Sequence, residues 1–290
     1  MDKIGIRVAS IGLLWLNRKE HVMSIPVAQK NVAHFVVSNF NADPTDLLSY
    51  STSYSLYDQS DDPMIVDFMH THYPNANFVA NSGHSLTNYF SYLEENWNNL
   101  PSTIALLKSN VIGRHTSRAY FERNYANQHY TFLFDDPVPP NTVSSLLYES
   151  AFLEWNDSWY ATSKPRRYFS TYNQVLNFLY VDPVLPKWVL FSPGACYIVP
   201  RPSIERLPPS LFSLLRFMVS YQYFPAEAYF VERILHTVFS SNTPLQPYIY
   251  NIDDAMIQLE SLPNRSQESP PKTSLESRII NRMNLWLRNY

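Results

Sequence analysis

The feature that most constrains the fold is a strand–helix–strand pattern in the first half of the chain. Asn77–Ala80 reads as a strand, Leu86–Trp97 has the pattern of a helix, and Ile104–Leu107 is again a strand. A helix that crosses between two strands is the usual unit of a parallel sheet. Two more strand patterns, Val32–Ser38 and Ser53–Tyr57, precede this unit. We therefore predict an α/β fold, with a mostly parallel central sheet flanked by helices in a single domain.

Polar side chains follow these predicted strands at their carboxyl ends, which is where open α/β sheets bind ligands. An acidic residue there, such as Asp58, can hold the ribose or base of a nucleotide, or it can start a turn. Asp43 is equally well interpreted as the cap of the next predicted helix, Pro44–Tyr50. The candidate ligand-binding residues at this edge are Asn39, Asn41, Asp43, Asp58, Asn81, Gly83, Lys108 and Asn110.

The scarcity of glycine and cysteine excludes several common sites. The 290-residue chain has 5 glycines, too scattered for a glycine-rich phosphate loop or a Gly-x-Ser-x-Gly nucleophile motif. The single cysteine, Cys196, excludes an internal disulfide and zinc sites built from several cysteines. The net charge is −3 and no basic block occurs, which argues against nucleic acid as the main partner. A nucleotide, if bound, must be held in some other way.

The second half of the chain predicts a helix with two different faces. Within Ala226–Phe239, an apolar stripe faces the core, while Glu232 and His236 lie one turn apart on the other face. A carboxylate and an imidazole in this arrangement can line a cleft and share a proton, but a solvated helix face has the same pattern. Glu227, in the first turn, is either a second candidate base or a carboxylate favoured there by the helix dipole.

Two features lie between the predicted sheet and this helix. Trp155, Trp159 and Tyr160 could stack against a sugar ring, although ordinary packing of large side chains explains the same cluster. Gly194 turns the chain between two predicted strands, and glycine is used where the backbone must turn or another group approaches closely. For the three aromatic residues, a sugar site and ordinary packing are both open interpretations at this point.

Two runs in the second half, GACYIVPR (Gly194–Arg201) and ERILHTVF (Glu232–Phe239), together resemble the C-terminal half of GT-A-type glycosyltransferases. They are most similar to an uncharacterised family that ends in a Glu-Arg-Leu-Trp-His-x-x-Phe pattern. They are more distantly similar to the branching N-acetylglucosaminyltransferases and peptide O-xylosyltransferases, whose base is a glutamate followed five residues later by threonine, as Glu232 and Thr237 stand here. The first half resembles the same uncharacterised family through Asn81, Gly83, Tyr89, Asn96, Trp97, Leu100, Pro101, Lys108, Ser109 and Asn110.

This resemblance implies a GT-A-like fold and an inverting glycosyltransferase. Such an enzyme moves a sugar, for example xylose, from a nucleoside diphosphate donor, with a UDP-sugar favoured, to a glycan hydroxyl. Glu232 would take the proton from the acceptor, with His236 as its partner, and the donor would lie over the strand ends. Gly194 and Arg201 join the three aromatic residues as candidate acceptor contacts. The alternative is a non-catalytic carbohydrate- or nucleotide-binding protein that kept the fold.

A lysine stands at the place where a metal motif is expected. GT-A enzymes commonly bind a divalent cation through Asp-x-Asp, and this sequence contains no such motif. The expected place is occupied by Lys108-Ser109-Asn110, whose lysine can neutralise a diphosphate directly. We therefore expect a metal-independent enzyme that requires no cofactor.

We predict that residues 1–262 form the GT-A-like domain. Its donor half is at about 30–115, and its acceptor and catalytic half is at about 116–245. Residues 263–273 are rich in Pro, Ser and charge, which is typical of a linker. Residues 274–290 have the pattern of an amphipathic C-terminal helix.

The predicted location follows from the lack of a membrane segment. The apolar run Val8–Leu16 is too short to span a bilayer, and no signal-peptide cleavage site follows it. We therefore expect a cytoplasmic protein with no transmembrane segment. Large DNA viruses of algae carry soluble glycosyltransferases of this general sort, so a viral origin would suit this glycine-poor chain.

Overall fold

In the computed structural model of the chain, residues 32–135 and 151–265 are described. The strands are β1 (His34–Asn39), β2 (Tyr54–Asp58), β3 (Asn77–Phe78), β4 (Thr103–Lys108), β5 (Thr131–Phe132), β6 (Phe152–Trp155), β7 (Trp188–Phe191) and β8 (Tyr197–Pro200). The helices are α1 (Thr45–Leu48), α2 (Pro63–His72), α3 (His84–Glu95), α4 (Val111–Arg114), α5 (Arg118–Asn124), α6 (Tyr172–Leu179), α7 (Arg201–Glu205), α8 (Pro209–Ser220), α9 (Ala226–Ser240) and α10 (Ile252–Glu260).

Within these residues the central sheet has six strands in the order β3-β2-β1-β4-β8-β5. Strands β1 to β4 run parallel, whereas β8 lies antiparallel between β4 and β5. Strands β6 and β7 form a separate antiparallel pair. The predicted α/β class, with a mostly parallel central sheet flanked by helices, is confirmed.

The central strands are buried on both faces, which explains their nearly unbroken apolar sequences. Side chains alternate across the sheet, so neighbouring residues of β1 enter different cores. Val36 packs on one face, in the larger core, with α3, α8 and α9. Phe35 and Val37 pack on the other face with α1, α2 and α5.

The strand directions determine which polar residues meet at the carboxyl edge of the sheet. Asn39 lies opposite Asp58 at the ends of β1 and β2, and Lys108 ends β4 beside β1. Strand β8 runs the other way, with Pro200 opposite Thr103 at the beginning of β4. The turn that precedes β8 therefore lies at the same edge as the end of β4.

Some elements differ from the sequence predictions, and other predictions concern residues outside the described ranges. The helix expected at Pro44–Tyr50 is the shorter α1. Helix α10 was not anticipated from the sequence. The run Val8–Leu16, the C-terminal helix at 274–290 and most of the linker at 263–273 lie outside the described residues. Among the helices described, none combines the length and apolarity that crossing a membrane requires.

Candidate functional site

Helix α9 carries the three predicted catalytic residues. Pro225 precedes its first residue, and its fixed backbone angle suits a helix start. The rotation of the helix is set by an apolar stripe that is completely buried. The face with Glu232 is not a solvated helix face, because the Glu232 side chain is only 19% exposed. The stripe consists of Phe230, Val231, Ile234, Leu235 and Val238.

The Glu232 carboxylate is held by two donors. Its Oε1 accepts a hydrogen bond from the backbone N–H of Gly194 at 2.7 Å. Its Oε2 accepts one from Nη1 of Arg233 at 3.0 Å. Gly194 belongs to the turn before β8, so this contact attaches the helix to the carboxyl edge of the sheet.

Arg233 is a buried cation that fixes the direction of Glu232. Its Nε and Nη2 donate to Oε2 of Glu154 at 2.8 and 2.7 Å. Its guanidinium carbon lies 4.0 Å from the ring centre of Tyr160 and 4.4 Å from that of Phe191. Burial opposes its charge, but Glu154 and Glu232 attract it, and the pKa of Arg233 is raised. Arg233 therefore remains charged between the two carboxylates.

A cavity of about 270 Å³ opens at the carboxyl edge of the sheet, and we call it the cationic cavity. Burial lowers the pKa of Lys108, while the carboxylate of Glu232 is near enough to oppose that change. Lys108 and Arg114 supply positive charge, and the lining residues within the described ranges include no carboxylate. They are Ser38, Phe40, Asn41, Gln59, His84, Ser85, Lys108, Ser109, Asn110 and Arg114.

Two histidines that the sequence did not single out belong to this site. His84 lines the cationic cavity, and the His115 ring packs so closely on Gly194 that an added Cβ would lie 2.7 Å from Nε2. Burial, reinforced by the charges of Lys108 and Arg114, lowers the pKa of each histidine to about 3. Both imidazoles are therefore neutral at pH 7. No spacing rule links either one to Gly194, so the sequence carried little signal for them.

The ends of β1 and β2 form a polar network beside the cavity. Asn39 donates through Nδ2 to Oδ1 of Asp58 at 2.9 Å, and both residues are buried. The Ser60 hydroxyl donates to the same oxygen of Asp58 and accepts from the backbone N–H of Asn41. Asn41 lines the cavity, so Asn39 and Asp58 shape the wall behind it.

The other residues predicted to bind the sugar donor have different surroundings. Asp43 Oδ1 accepts from the backbone N–H of Thr45 at 2.8 Å, which is the pattern of an Asx turn, and the cap position of α1 is occupied by Pro44. Gly83 has a φ of 63° and is packed so tightly that a Cβ would lie 2.1 Å from a neighbouring hydroxyl, which indicates a packing role at the start of α3. Asn81 has a buried Oδ1 with no hydrogen-bond partner among the described residues. Asn110 lines the cationic cavity.

Glu227 is not brought to this site. It is fully buried, and Oε1 accepts from the backbone N–H groups of Arg167, Tyr168 and Phe169 at 2.9, 2.7 and 3.4 Å. Its Oε2 accepts from the Tyr221 hydroxyl at 2.6 Å. These contacts fasten the 167–169 segment to the first turn of α9, which matches the structural alternative for this residue.

The expected pairing of Glu232 with His236 does not form. Among the described residues, Nδ1 of His236 lies 3.3 Å from the Tyr130 hydroxyl, and its ring packs on Tyr130 and Phe132. Burial lowers the pKa of His236. The helix spacing places the two side chains on one side of α9, but the imidazole packs in an aromatic cluster instead of pairing with the carboxylate.

The residues predicted to bind the sugar acceptor differ in burial and in their position relative to the sheet. Tyr160 is fully buried with its hydroxyl bonded to a backbone carbonyl, and Trp155 packs edge-on against a tryptophan of β7. Both follow the packing alternative, whereas Trp159 is 48% exposed. Arg201 follows the end of β8, at the opposite edge of the sheet from Lys108. Its assignment to the same site is therefore corrected, because β8 is antiparallel.

A carboxylate, neutral imidazoles and cations thus lie along the carboxyl edge of the sheet, where Lys108, Arg114 and His84 line the cationic cavity, so this edge can bind an anion and accept a proton. Within residues 32–135 and 151–265, no group of three or more His, Cys, Asp or Glu side chains could hold a metal ion.

No protein-family model, curated protein or solved structure matches this chain.

Proposed function

We propose that this protein is an inverting glycosyltransferase with a GT-A-like fold, which moves a sugar from a nucleoside diphosphate to a glycan hydroxyl. The observation that carries the proposal is that Lys108 and Glu232 come from distant parts of the chain to the same edge of the sheet. Lys108 lines the cationic cavity there, and Glu232 accepts a hydrogen bond from Gly194 in the turn before β8. A cation suits the diphosphate that must leave, and a carboxylate suits the hydroxyl that must lose a proton. The strand order, with β8 antiparallel between β4 and β5, supports the GT-A-like assignment by analogy of fold.

The cationic cavity is the proposed donor site. Lys108 and Arg114 would neutralise the diphosphate of a UDP-sugar, and Asn41 and Asn110 would donate or accept hydrogen bonds at its rim. Two cations favour an anionic ligand, since the described residues that line the cationic cavity include no carboxylate. The donor would be bound without a metal ion, since the lysine supplies the compensating charge.

Glu232 is the proposed general base. The acceptor oxygen would attack the anomeric carbon from the side opposite the diphosphate, while Glu232 takes the hydroxyl proton and the nucleoside diphosphate departs. One such displacement inverts the anomeric centre. The hydrogen bonds from Gly194 and Arg233 would hold the carboxylate in place during this step. His236 and Glu227 have no part in this mechanism.

The test is a panel of UDP- and GDP-sugars, assayed for hydrolysis and for transfer to simple glycans, with and without EDTA. We expect release of UDP from at least one donor, and we expect turnover to survive chelation. Loss of activity in EDTA with recovery in Mn²⁺ would contradict the role of Lys108 as a substitute for a metal. Calorimetric titration with UDP and GDP completes the test, and no binding at millimolar concentration would contradict the proposal as a whole.

A second candidate function is nucleotide binding without catalysis. The observation that favours it is that both Glu232 oxygens already accept hydrogen bonds, so the carboxylate could serve only to fasten α9 to the turn at Gly194. This alternative predicts that UDP binds while no donor in the panel turns over. Measured UDP binding together with measured turnover excludes it.

A further inference from the structure

A second cavity, of about 390 Å³, lies at the beginning of α9, and we call it the aromatic pocket. Trp159 extends its aromatic surface, because the Trp159 and Tyr229 rings meet edge-on with their centres 5.0 Å apart. Residues that line the pocket include three with aromatic rings and three with polar side chains, namely Tyr223, Phe224, Tyr229, Ser163, Lys164 and Gln222.

The composition of the aromatic pocket is that of a ligand site. Tyr223 is 49% exposed and Trp159 is 48% exposed, although large aromatic side chains are usually well buried. Ring faces bind the apolar faces of a ligand, while a few polar groups such as Gln222 and Lys164 fix its orientation. A pyranose ring has this two-sided character, with C–H groups on its faces and hydroxyl groups around its rim.

The aromatic pocket adjoins the cationic cavity at two places. The Phe224 ring lies 4.7 Å from the His84 ring, and the Tyr223 ring lies 6.2 Å from that of Phe40. His84 and Phe40 both line the cationic cavity. A ligand in one cavity would therefore lie next to a ligand in the other.

One residue that lines the aromatic pocket, Tyr229, lies close to Glu232 on helix α9. Tyr229 precedes Glu232 by one turn of α9, so their side chains lie on one side of the helix. The Arg233 guanidinium, which donates to Glu232 at 3.0 Å, lies 5.8 Å from the ring centre of Tyr229 and 5.6 Å from that of Trp159.

We propose that the aromatic pocket is the acceptor site and binds a pyranose ring of a glycan, stacked on Tyr223 and Trp159 with its reacting hydroxyl toward Glu232. This inference rests on the proposed glycosyltransferase function. A glycan is favoured over the donor, because Lys108 and Arg114, which suit a diphosphate, line the cationic cavity, whereas exposed aromatic rings form much of the aromatic pocket. The volume of the pocket suits one or two sugar rings.

The test is saturation-transfer NMR and titration of the full-length protein with xylobiose, cellobiose and chitobiose, in the absence of any donor. We expect at least one disaccharide to bind. Tyr223→Ala and Trp159→Ala should each weaken its affinity about 5- to 10-fold, which is the stacking contribution of one ring. Both side chains are half exposed, so the variants should fold, and thermal unfolding checks this. Tyr250→Ala is the matched control, because Tyr250 is 63% exposed and lies outside the aromatic pocket.

A parallel titration with UDP separates this inference from the proposed function, because it needs no acceptor. UDP affinity should be the same in Tyr223→Ala and in the wild type. Failure of all three disaccharides to bind while UDP binds would overturn the acceptor site and leave the donor site standing. A loss of UDP affinity in Tyr223→Ala would also overturn it, since the pocket would then hold the nucleobase.

Discussion

Two glutamates on helix α9 have opposite surroundings. A carboxylate has about four lone-pair sites, and Glu227 faces four donors, three backbone N–H groups and the Tyr221 hydroxyl. Among the described residues Glu232 accepts from two donors, Gly194 and Arg233, and it lies at the edge of the sheet where the cationic cavity opens. A carboxylate surrounded by immobile donors fastens the fold, whereas one with unused acceptor sites near a cavity is able to take a proton. The two glutamates are therefore suited to different roles because their surroundings differ, and not because of their positions on the helix.

The largest effect should come from removing the charge at Glu232. Glu232→Gln keeps the shape of the side chain but cannot accept a proton, so we expect kcat to fall by ~10²–10⁴-fold. UDP affinity should hardly change, because the donor does not need the carboxylate to bind. Steady-state kinetics and calorimetry measure the two quantities, with Glu227→Gln as the comparison. If both glutamine variants keep full activity, Glu232 is not the base.

The next effect is on stability, at the other glutamate. Glu227→Gln places an amide NH₂ among donors, so buried hydrogen bonds are lost, and we expect the free energy of unfolding to fall by about 2–4 kcal/mol. In Glu232→Gln the loss should be smaller, about 1–2 kcal/mol, because the amide oxygen still accepts from one of the two donors and the side chain is partly exposed. Urea unfolding of the two variants measures the difference. Equal losses in the free energy of unfolding would contradict the claim that Glu227 is held more tightly by its surroundings than Glu232.

Gly194 connects the region around Glu232 to the sheet, and its replacement should affect both stability and activity. Gly194 has a φ of 81°, and a Cβ there would meet His115 at 2.7 Å. Gly194→Ala should therefore cost roughly 1–3 kcal/mol and lower kcat by moving Glu232. Gly113→Ala is the matched control, because Gly113 has a φ of 85° but open space around it. The same loss of activity in both variants would show that the contact with Glu232 is unimportant.

Two neutral histidines also distinguish the region around Glu232. His84 and His115 have a pKa of about 3 in the folded chain, against about 6.5 when unfolded. Between these values the unfolded chain binds more protons, so the free energy of unfolding should decrease as the pH falls below about 6.5. The expected loss between pH 7 and pH 5 is about 1–2 kcal/mol per histidine. His84→Gln should remove its share of this slope in urea unfolding, and an unchanged slope would contradict the burial of a neutral imidazole there.

The sequence was sufficient for the features that depend on neighbouring residues. Strands β1, β2 and β4 and helices α3, α8 and α9 have strong apolar patterns, and polar residues at strand ends pointed to Lys108. Contacts between distant segments could not be predicted in this way. The sequence gives no direction for β8, so Arg201 was placed at the wrong edge, and nothing linked His115 to Gly194. The domain boundaries, the cytoplasmic location and the viral origin stay predictions.

The aromatic residues show the same limit. A cluster of Trp155, Trp159 and Tyr160 reads equally well as a sugar site or as core, because periodicity does not say what packs against a ring. The structure divides them, with Tyr160 under the Arg233 guanidinium and Trp159 at the surface. Exposure, which depends on the tertiary fold, decides between the two interpretations.

The central claim is that the region between Lys108 and Glu232 is a nucleotide site. Calorimetric titration of UDP into the wild type, Lys108→Ala and Lys187→Ala tests it most directly, since Lys187 is an exposed lysine outside the cationic cavity. Loss of a charged hydrogen bond is worth about 1.5–3 kcal/mol, so the Kd should rise by about 10-fold or more in Lys108→Ala and stay unchanged in Lys187→Ala. Equal affinity in all three proteins, or no binding to the wild type, would contradict the claim.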